Sequence, residues 1–203
     1  MKTIFLIKGG SLMMHNRRLR DTSDPVTRKL RLLTLDLMGT SDPDERVRVL
    51  AQLADLEWEA GMYYNDTLGP YLPAELLQAG LRDGYKHSLR FSEKTGTLPS
   101  SVRVAKDTPL IYDGPRTLDE LRQHPDFRDK RMVKLPRQRQ KVERTRPIFK
   151  DWSAEVEVTY KPPVSSEDVY GWLRSGGGHG IGSGRFIGHG KFQTYTPKAT
   201  LSA

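Results

Sequence analysis

The sequence contains no cysteine in its 203 residues. The chain can therefore form neither a disulfide framework nor a zinc site with thiolate ligands, and such a composition is typical of reducing compartments. We expect a cytoplasmic location. Long apolar runs are also missing, since no segment approaches the roughly 18 apolar residues of a membrane span, and we expect no membrane partner. The His, Asp and Glu residues show no metal-ligand spacing, so the sequence predicts neither a metal nor a cofactor.

Acidic residues are too few to balance the basic ones. The 33 Lys and Arg against 25 Asp and Glu give a formal net charge of +8 and a pI near 9.7, a range typical of nucleic-acid binders. Residues 128–150 hold ten basic and two acidic residues, a local excess of +8. The prolines and alternating charges of this segment predict an extended ribbon with residues 137, 139 and 141 on one face. A basic run can also serve solubility alone.

Capping signals and periodicity predict the secondary structure. Asp24-Pro25 and Asp42-Pro43 each place an N-cap before a proline at the first helical position. The clean alternation of residues 154–160 predicts a strand that buries Val156, Val158 and Tyr160 and exposes Glu155, Glu157 and Thr159. The predicted helices cover about residues 25–39, 43–60, 74–87, 117–124 and 166–174, and the main strands about residues 3–14, 102–104, 110–112, 154–160 and 186–195.

This order of elements predicts an α+β fold. We expect a ferredoxin-like (RRM-like) antiparallel sheet with helices on one face. It would form a single domain over residues 1–203, with a helical insertion after the first strand at about 15–70 and a basic extended segment at about 128–150.

Glycine is concentrated near the C-terminus. Eight of the 18 glycines lie in residues 176–190, directly before Lys191. Glycine reaches positive φ angles and lets the backbone approach a ligand closely. The few polar side chains nearby indicate an anionic ligand contacted through phosphates. The run lacks P-loop spacing, and it follows a helix and opens a strand, the reverse of a dinucleotide fingerprint. The pattern therefore predicts nucleic acid as the ligand.

Three patterns resemble the RAMP superfamily, the RRM-like RNA-binding proteins that include the backbone and processing subunits of CRISPR effector complexes. The first is Gly-hydrophobic-Gly, five residues, then Gly-x-Gly-x-Phe, formed by residues 180–192. The second is residues 71–82, which resemble the strand-to-helix entry of the backbone subunits at Leu72, Pro73, Leu77, Leu81 and Arg82. The third is residues 23–28, which are similar to the Asp-x-Pro-Val-x-Arg loop of target-cleaving subunits, with one residue missing between Asp and Pro.

The resemblance implies an RNA-binding protein that grips the phosphate backbone of a guide or structured RNA. The resemblance also implies partners. We expect self-assembly, or assembly with other subunits, along that RNA, and RNA-guided recognition of a target nucleic acid. The expected RNA contacts from the glycine run and the helix at 74–87 are Gly180, Gly182, Arg185, Gly188, His189, Gly190, Lys191 and Arg82. The expected contacts from the basic segment are Arg137, Arg139, Lys141, Arg144 and Arg146.

Two alternatives stay open, and no catalytic residue is assigned. A ribonuclease could use Asp24, or a histidine such as His15 as acid or base in 2′-hydroxyl attack, although helix capping alone also explains Asp24. A basic structural or interaction protein would use its charge only for packing. Among the aromatic residues, Phe149 and Trp152 flank the basic segment and are candidates for stacking on bases.

Overall fold

A computed structural model of the protein describes residues 1–16, 21–88, 96–134 and 141–195. This part of the chain is α+β with antiparallel sheets. Its α-helices are α1 (Pro25–Gly39), α2 (Pro43–Gly61), α3 (Ala74–Ser88), α4 (Leu118–Gln123) and α5 (Ser166–His179). Its strands are β1 (Lys2–Met13), β2 (Tyr64–Asn65), β3 (Gly69–Leu72), β4 (Arg103–Val104), β5 (Thr108–Pro109), β6 (Arg128–Lys134), β7 (Lys141–Thr159) and β8 (Gln193–Tyr195).

The capping signals begin the helices where the sequence predicts. The Asp24 carboxylate accepts hydrogen bonds from the Val26 and Thr27 amides, and Asp42 caps α2 in the same way. Ser165 and Asp168 form a reciprocal capping box at the start of α5. These side chains satisfy amide groups that have no partner within the helix, which fixes each start to one residue.

The chain divides into two compact units. Unit 1 comprises Met1–Leu12, Tyr64–Thr117 and Phe149–Ala203, and unit 2 comprises Met13–Tyr63 and Leu118–Ile148. Unit 2 thus combines the two helices of the predicted insertion with most of the predicted basic segment.

The main sheet of unit 1 has the strand order β4-β7-β1-β8. Strands β4 and β7 are antiparallel, and so are β1 and β8. Strands β7 and β1 are antiparallel as well, because the backbones of Met1 and Tyr160 bond to each other in both directions. A second, smaller sheet has the order β2-β3-β5.

The core of unit 1 forms between the buried residues of this sheet and the buried sides of α3 and α5. Phe5 and Ile7 of β1 are fully buried, as are Val156 and Val158 of β7. Helices α3 and α5 pack through glycine: a Cβ on Gly84 would lie 1.9 Å from the Trp172 carbonyl oxygen. Only glycine permits an approach this close.

The glycine run differs from the predicted loop. Its first three glycines belong to α5, which continues to His179 instead of ending near residue 174. The helix continues because α3 lies against it, and a Cβ on Gly176 would come within 2.5 Å of the Gly80 carbonyl oxygen. The last strand is correspondingly short, and residues 185–187 form a 3₁₀ turn with Phe186 fully exposed rather than a strand.

Three side chains in β7 are buried where the sequence predicted that they would be accessible. Phe149 and Trp152 are 0% and 1% exposed, so the stacking prediction for them is wrong, because their rings are used in the core of unit 1. Glu157 is 9% exposed instead of facing solvent. It accepts ion pairs from Lys2 and Lys106, which supply the charge that makes this burial tolerable.

Unit 2 contains α1, α2, α4 and the hairpin of β6 with the first part of β7, so the predicted ribbon is a two-stranded antiparallel ladder. Trp58 of α2 is fully buried and donates through its indole nitrogen to the Phe127 carbonyl oxygen at 2.8 Å. Helix α1 contributes no fully buried residue, and the apolar residues that recur along it at helical spacing, Val26, Leu30, Leu33 and Leu37, are only half-buried.

Candidate nucleic-acid interface

An open groove of about 610 Å³ lies in unit 1 beside the start of β8. Its walls come from four places in the sequence: residues 8–10 of β1, 151–153 of β7, 177–178 of α5, and the segment around β8. The charged lining residues are Lys8, Lys191 and Asp151, so two cations stand against one carboxylate. The sheet and the end of α5 therefore bring together residues that are distant in sequence.

Glycine at position 9 lets β1 approach Lys191 and Trp152 closely. A Cβ at Gly9 would lie 2.4 Å from the Lys191 carbonyl oxygen and 2.7 Å from Nε1 of Trp152. The sequence predicts a bulge or a close backbone approach at Gly9-Gly10, and the close approach is confirmed at Gly9. Any larger residue there would push β1 away from the groove floor.

Trp152 supplies a buried donor among the lining residues. Its Nε1 has no hydrogen-bond partner within the described part of the chain, although the residue is 1% exposed. Indole nitrogen can only donate, and a buried donor left unpaired costs about 1–3 kcal/mol. The donor lies among the lining residues of the groove, so an acceptor that occupies the groove is one way to satisfy it.

Lys8 and Tyr195 share one face of the sheet edge. The register pairs Lys8 with Gln193 and Leu6 with Tyr195, and residues paired in this way project to the same side. The Lys8 ammonium lies 5.5 Å from the centre of the Tyr195 ring. Tyr195 is 43% exposed, so its ring combines an accessible flat surface with an adjacent positive charge.

The glycine loop between α5 and β8 is built by its own hydrogen bonds. Gly180, Gly182, Gly184, Gly188 and Gly190 all have positive φ angles, which glycine adopts without strain. The Gly180, Gly188, His189 and Gly190 amides donate to carbonyl groups within unit 1. A phosphate at this loop would therefore be contacted by side chains rather than by these four amides.

The polar side chains of this loop are partly engaged inside the protein. His189 shares a hydrogen bond of 2.9 Å with the Ser11 hydroxyl, which ties the loop to β1. Arg185 is exposed and lies 3.5 Å from the Asp83 carboxylate. His179 lies in the last turn of α5, where its ring stacks on His87 at a centroid distance of 3.6 Å.

Arg82 belongs to a different groove of unit 1. This groove, of about 560 Å³, lies between α3 and residues 97–104, and it shares no lining residue with the groove beside β8. Lys86 and Arg103 line it together with Arg82, with Glu75 as the one carboxylate. The structure therefore places Arg82 among other cations but does not place it at the glycine loop.

A cavity of about 280 Å³ in unit 2 brings together three other predicted residues: His15, Arg144 and Arg146. Glu57, 8% exposed, accepts from the Arg144 guanidinium and, at 3.0 Å, from the Thr145 amide. The pKa of Arg146 lies below its usual range, mainly because its guanidinium is partly buried and then because Arg144 carries the same charge.

The remaining predicted residues lie apart from these sites. Asp24 caps α1, with its Oδ1 atom bonded to two amides, and it lines neither the groove beside β8 nor the unit 2 cavity. Lys141 is exposed at the start of β7, opposite Lys134 in the hairpin register. Arg137 and Arg139 lie outside the described residues.

Sequence reasoning did not single out Lys8, Tyr195, Arg31 or Glu57. Lys8 carries a signal, since it is the cation directly before the Gly9-Gly10 pair. Tyr195, Arg31 and Glu57 have no such signal in the sequence, because only the register of β8 and the packing of α1 on α2 place them at these sites.

No family model matches the sequence, and no curated protein matches it either. Within residues 1–16, 21–88, 96–134 and 141–195, no helix has the length and apolar character needed to cross a membrane. In the same residues, no three or more His, Asp or Glu side chains are grouped to hold a metal ion.

Proposed function

We propose that this protein binds the phosphate backbone of single-stranded RNA along the groove beside β8, as a RAMP-type protein with a ferredoxin-like sheet. The order β1-α3-β4-β7-α5-β8, with strands arranged β4-β7-β1-β8, supports this fold. The glycine loop lies between the last helix and the last strand of that order, where the RAMP pattern has it.

The observation that carries the proposal is the set of groups lining this groove. Trp152 offers a buried N–H without a partner in the described residues, and Lys8 and Lys191 line the same groove. A hydrogen-bond donor combined with positive charge suits an anionic oxygen, and phosphate contacts position a nucleic acid regardless of its sequence.

Tyr195 favours a single strand over a duplex. Its exposed ring offers a stacking surface for an unpaired base, while the bases of a duplex are already stacked on each other. The glycine pattern favours a guide-like RNA that further copies of the protein or other subunits also bind.

Binding of a short fluorescent RNA, measured by anisotropy, tests the proposal. The double variant Lys8→Gln/Lys191→Gln should weaken binding about tenfold or more, since each cation contributes to counterion release from the phosphates. Lys161→Gln is the matched control: Lys161 is exposed in unit 1 and does not line the groove. Equal affinity of the double variant and the control would contradict the proposal.

The contacts of Asp24 support RNA binding without RNA cleavage. The Asp24 carboxylate is engaged by two amides of its own helix, which leaves it a capping role. We expect end-labelled RNA to stay intact after incubation with the protein, with and without Mg²⁺. Cleavage that Asp24→Ala or His15→Gln abolishes would favour the ribonuclease instead.

A further inference from the structure

Apolar side chains that face solvent are concentrated in the helical hairpin of unit 2, which α1 and α2 form. Five of the twelve exposed large apolar residues among the described positions belong to this hairpin: Leu32, Leu35, Met38, Val47 and Leu50. Single exposed apolar residues are ordinary on a protein surface, whereas a group of this kind in two adjacent helices is typical of an interaction surface.

The outer side of α1 carries three of these residues. Leu32, Leu35 and Met38 follow each other at a spacing of three, and they are 61%, 58% and 78% exposed. Leu35 lies about half a turn from Leu33 and Leu37, which are half-buried on the inner side of the helix. A 15-residue helix without a buried residue gains little stability from packing. A partner on the outer side would supply the missing burial.

The two ends of this hairpin carry opposite net charges. Asp21 acts on Arg28 at one end, and Arg46 bonds to carbonyl groups at the other, so each end is partly compensated within the protein. With these neighbours included, residues 21–33 contain three cations and two carboxylates, whereas residues 34–46 contain one cation and four carboxylates. The first end therefore stays positive and the second stays negative.

A second copy of the hairpin matches both the apolar side and the charges of α1. When the two α1 helices run antiparallel, residues 21–33 of one copy lie opposite residues 34–46 of the other, so opposite charges meet at both ends. A parallel arrangement would bring like charges together. Two-fold symmetry is the commonest form of self-association. With the axis at Leu35, each Leu35 contacts its own copy, and Leu32 lies opposite Met38.

We propose that this protein forms a two-fold dimer through the outer sides of its α1 helices, with Leu35 at the axis. The helix dipole favours the same orientation. Helix α1 has no acidic residue in its first turn, and the acidic end of the partner brings negative charge to that turn. The inference goes beyond the proposed RNA binding, because Leu32, Leu35 and Met38 do not line the groove beside β8 and the dimer forms without RNA.

Sedimentation equilibrium of the full chain without RNA tests this inference. The interface is small, so we expect a dissociation constant of about 10 µM. Leu35→Glu should weaken the dimer about a hundredfold or more, because two carboxylates then meet at the axis. Ile187→Glu is the control, since Ile187 is an equally exposed apolar residue of unit 1, and it should dimerise like the wild type. A wild-type protein that stays monomeric at about 100 µM, tenfold above that constant, would overturn the inference.

A single introduced cysteine tests the position of the axis. The chain contains no cysteine, so Leu35→Cys creates one thiol in each copy, and a disulfide forms only when the two Cα atoms come within about 7 Å. Under mild oxidation Leu35→Cys should form a covalent dimer, whereas Ile187→Cys should remain monomeric. Equal linkage of the two variants, or none in Leu35→Cys, would overturn the proposed axis.

Charge reversal tests the antiparallel orientation. Arg28→Glu/Arg31→Glu makes both ends of the hairpin acidic, and Asp36→Lys/Asp44→Lys makes the acidic end less negative and then basic against its partner. Each double variant alone should dimerise about tenfold more weakly or worse, because attraction at both ends becomes repulsion. An equal mixture of the two should dimerise again, since opposite charges then meet, and this recovery excludes misfolding as the cause. A mixture that stays monomeric would overturn the orientation.

Discussion

The groove of unit 1 and the cavity of unit 2 both collect positive side chains, but they neutralise them differently. The groove is open, its two lysines are exposed, and Gly9, Gly10, Gly177 and Gly178 are among its lining residues. The cavity is smaller, and a buried glutamate already holds one of its three arginines. Lysines that stay in water tolerate many phosphate positions, so the first arrangement suits a strand that runs past. In the second arrangement the Glu57 carboxylate holds Arg144 in place, so this charge pair serves the packing of unit 2.

The largest expected effect on stability comes from carboxylates that pair with arginine. Glu57→Gln removes the charge that compensates Arg144, and we expect it to lower the free energy of unfolding by about 2–3 kcal/mol, near the lower limit for buried pairs because Arg144 is partly exposed. Urea denaturation measures this loss. Glu59→Gln is the control, because the side chains of Glu59 and of its partner Arg122 are both exposed. It should lower the free energy of unfolding by less than about 1 kcal/mol. Equal losses would show that the Glu57 pair has no special role.

Adjacent glycines in α5 test how closely the groove floor is packed. A Cβ at Gly177 would lie 2.2 Å from the Phe192 carbonyl oxygen, so Gly177→Ala should destabilise unit 1 by about 2 kcal/mol. Gly178 has no atom within 4 Å of its Cβ position, and Gly178→Ala should be neutral or stabilising by up to about 1 kcal/mol. Melting curves of the two variants measure both effects. A reversed order would contradict the close packing of Gly177 against Phe192.

The buried Trp152 indole allows RNA binding to be tested separately from packing. Trp152→Phe keeps an aromatic ring in the core but removes the N–H, so RNA affinity should fall about tenfold. Its stability should change less, because removal of the unpaired donor offsets part of what the smaller ring loses in packing. Anisotropy and melting curves measure the two quantities. Trp172→Phe is the control, since Trp172 packs edge-on against Tyr85 and does not line the groove. Unchanged affinity in Trp152→Phe would remove this donor from the interface.

The smallest effect concerns the ion pairs that Glu157 makes with Lys2 and Lys106 in unit 1. The hydrogen bond from Lys2, and then the charges of Lys2 and Lys106, lower the pKa of Glu157 below its ordinary 4.5. Because the folded pKa is lower than the unfolded one, the stabilisation is present above pH 4.5 and disappears as the pH falls through the folded value. Glu157→Gln should therefore be slightly less stable than wild type at pH 7, and the difference should shrink as the pH falls below 4.5. A difference that does not shrink with falling pH would point to packing instead of charge.

The helix starts were predictable because capping is local: Asp24, Asp42 and Ser165 each bond to amides two or three residues away. The length of α5 was not, since glycine disfavours helix until a neighbouring helix needs the space that Gly176 leaves. The buried position of Trp152 was not predictable either. Trp152 belongs to β7, and only the folded sheet shows that β7 lies between β4 and β1.

The candidate site was predictable only in part. Glycine content and charge marked the glycine loop, Lys191 and the basic segment. The sequence could not show that Arg144 and Arg146 share a cavity with His15, because β7 must first pack against α2. Nor could it show that Asp83 lies beside Arg185, a contact between residues about a hundred positions apart.

The salt dependence of RNA binding tests the central claim most directly. For single-stranded RNA, the logarithm of the association constant should fall linearly with the logarithm of salt concentration, by about 0.7 for each phosphate contact. Loss of Lys8 and Lys191 in the double glutamine variant should therefore reduce the steepness by about 1.4, or two contacts, while Lys161→Gln leaves it unchanged. A wild-type slope near zero, or a slope that the double variant does not alter, would contradict phosphate binding at this groove.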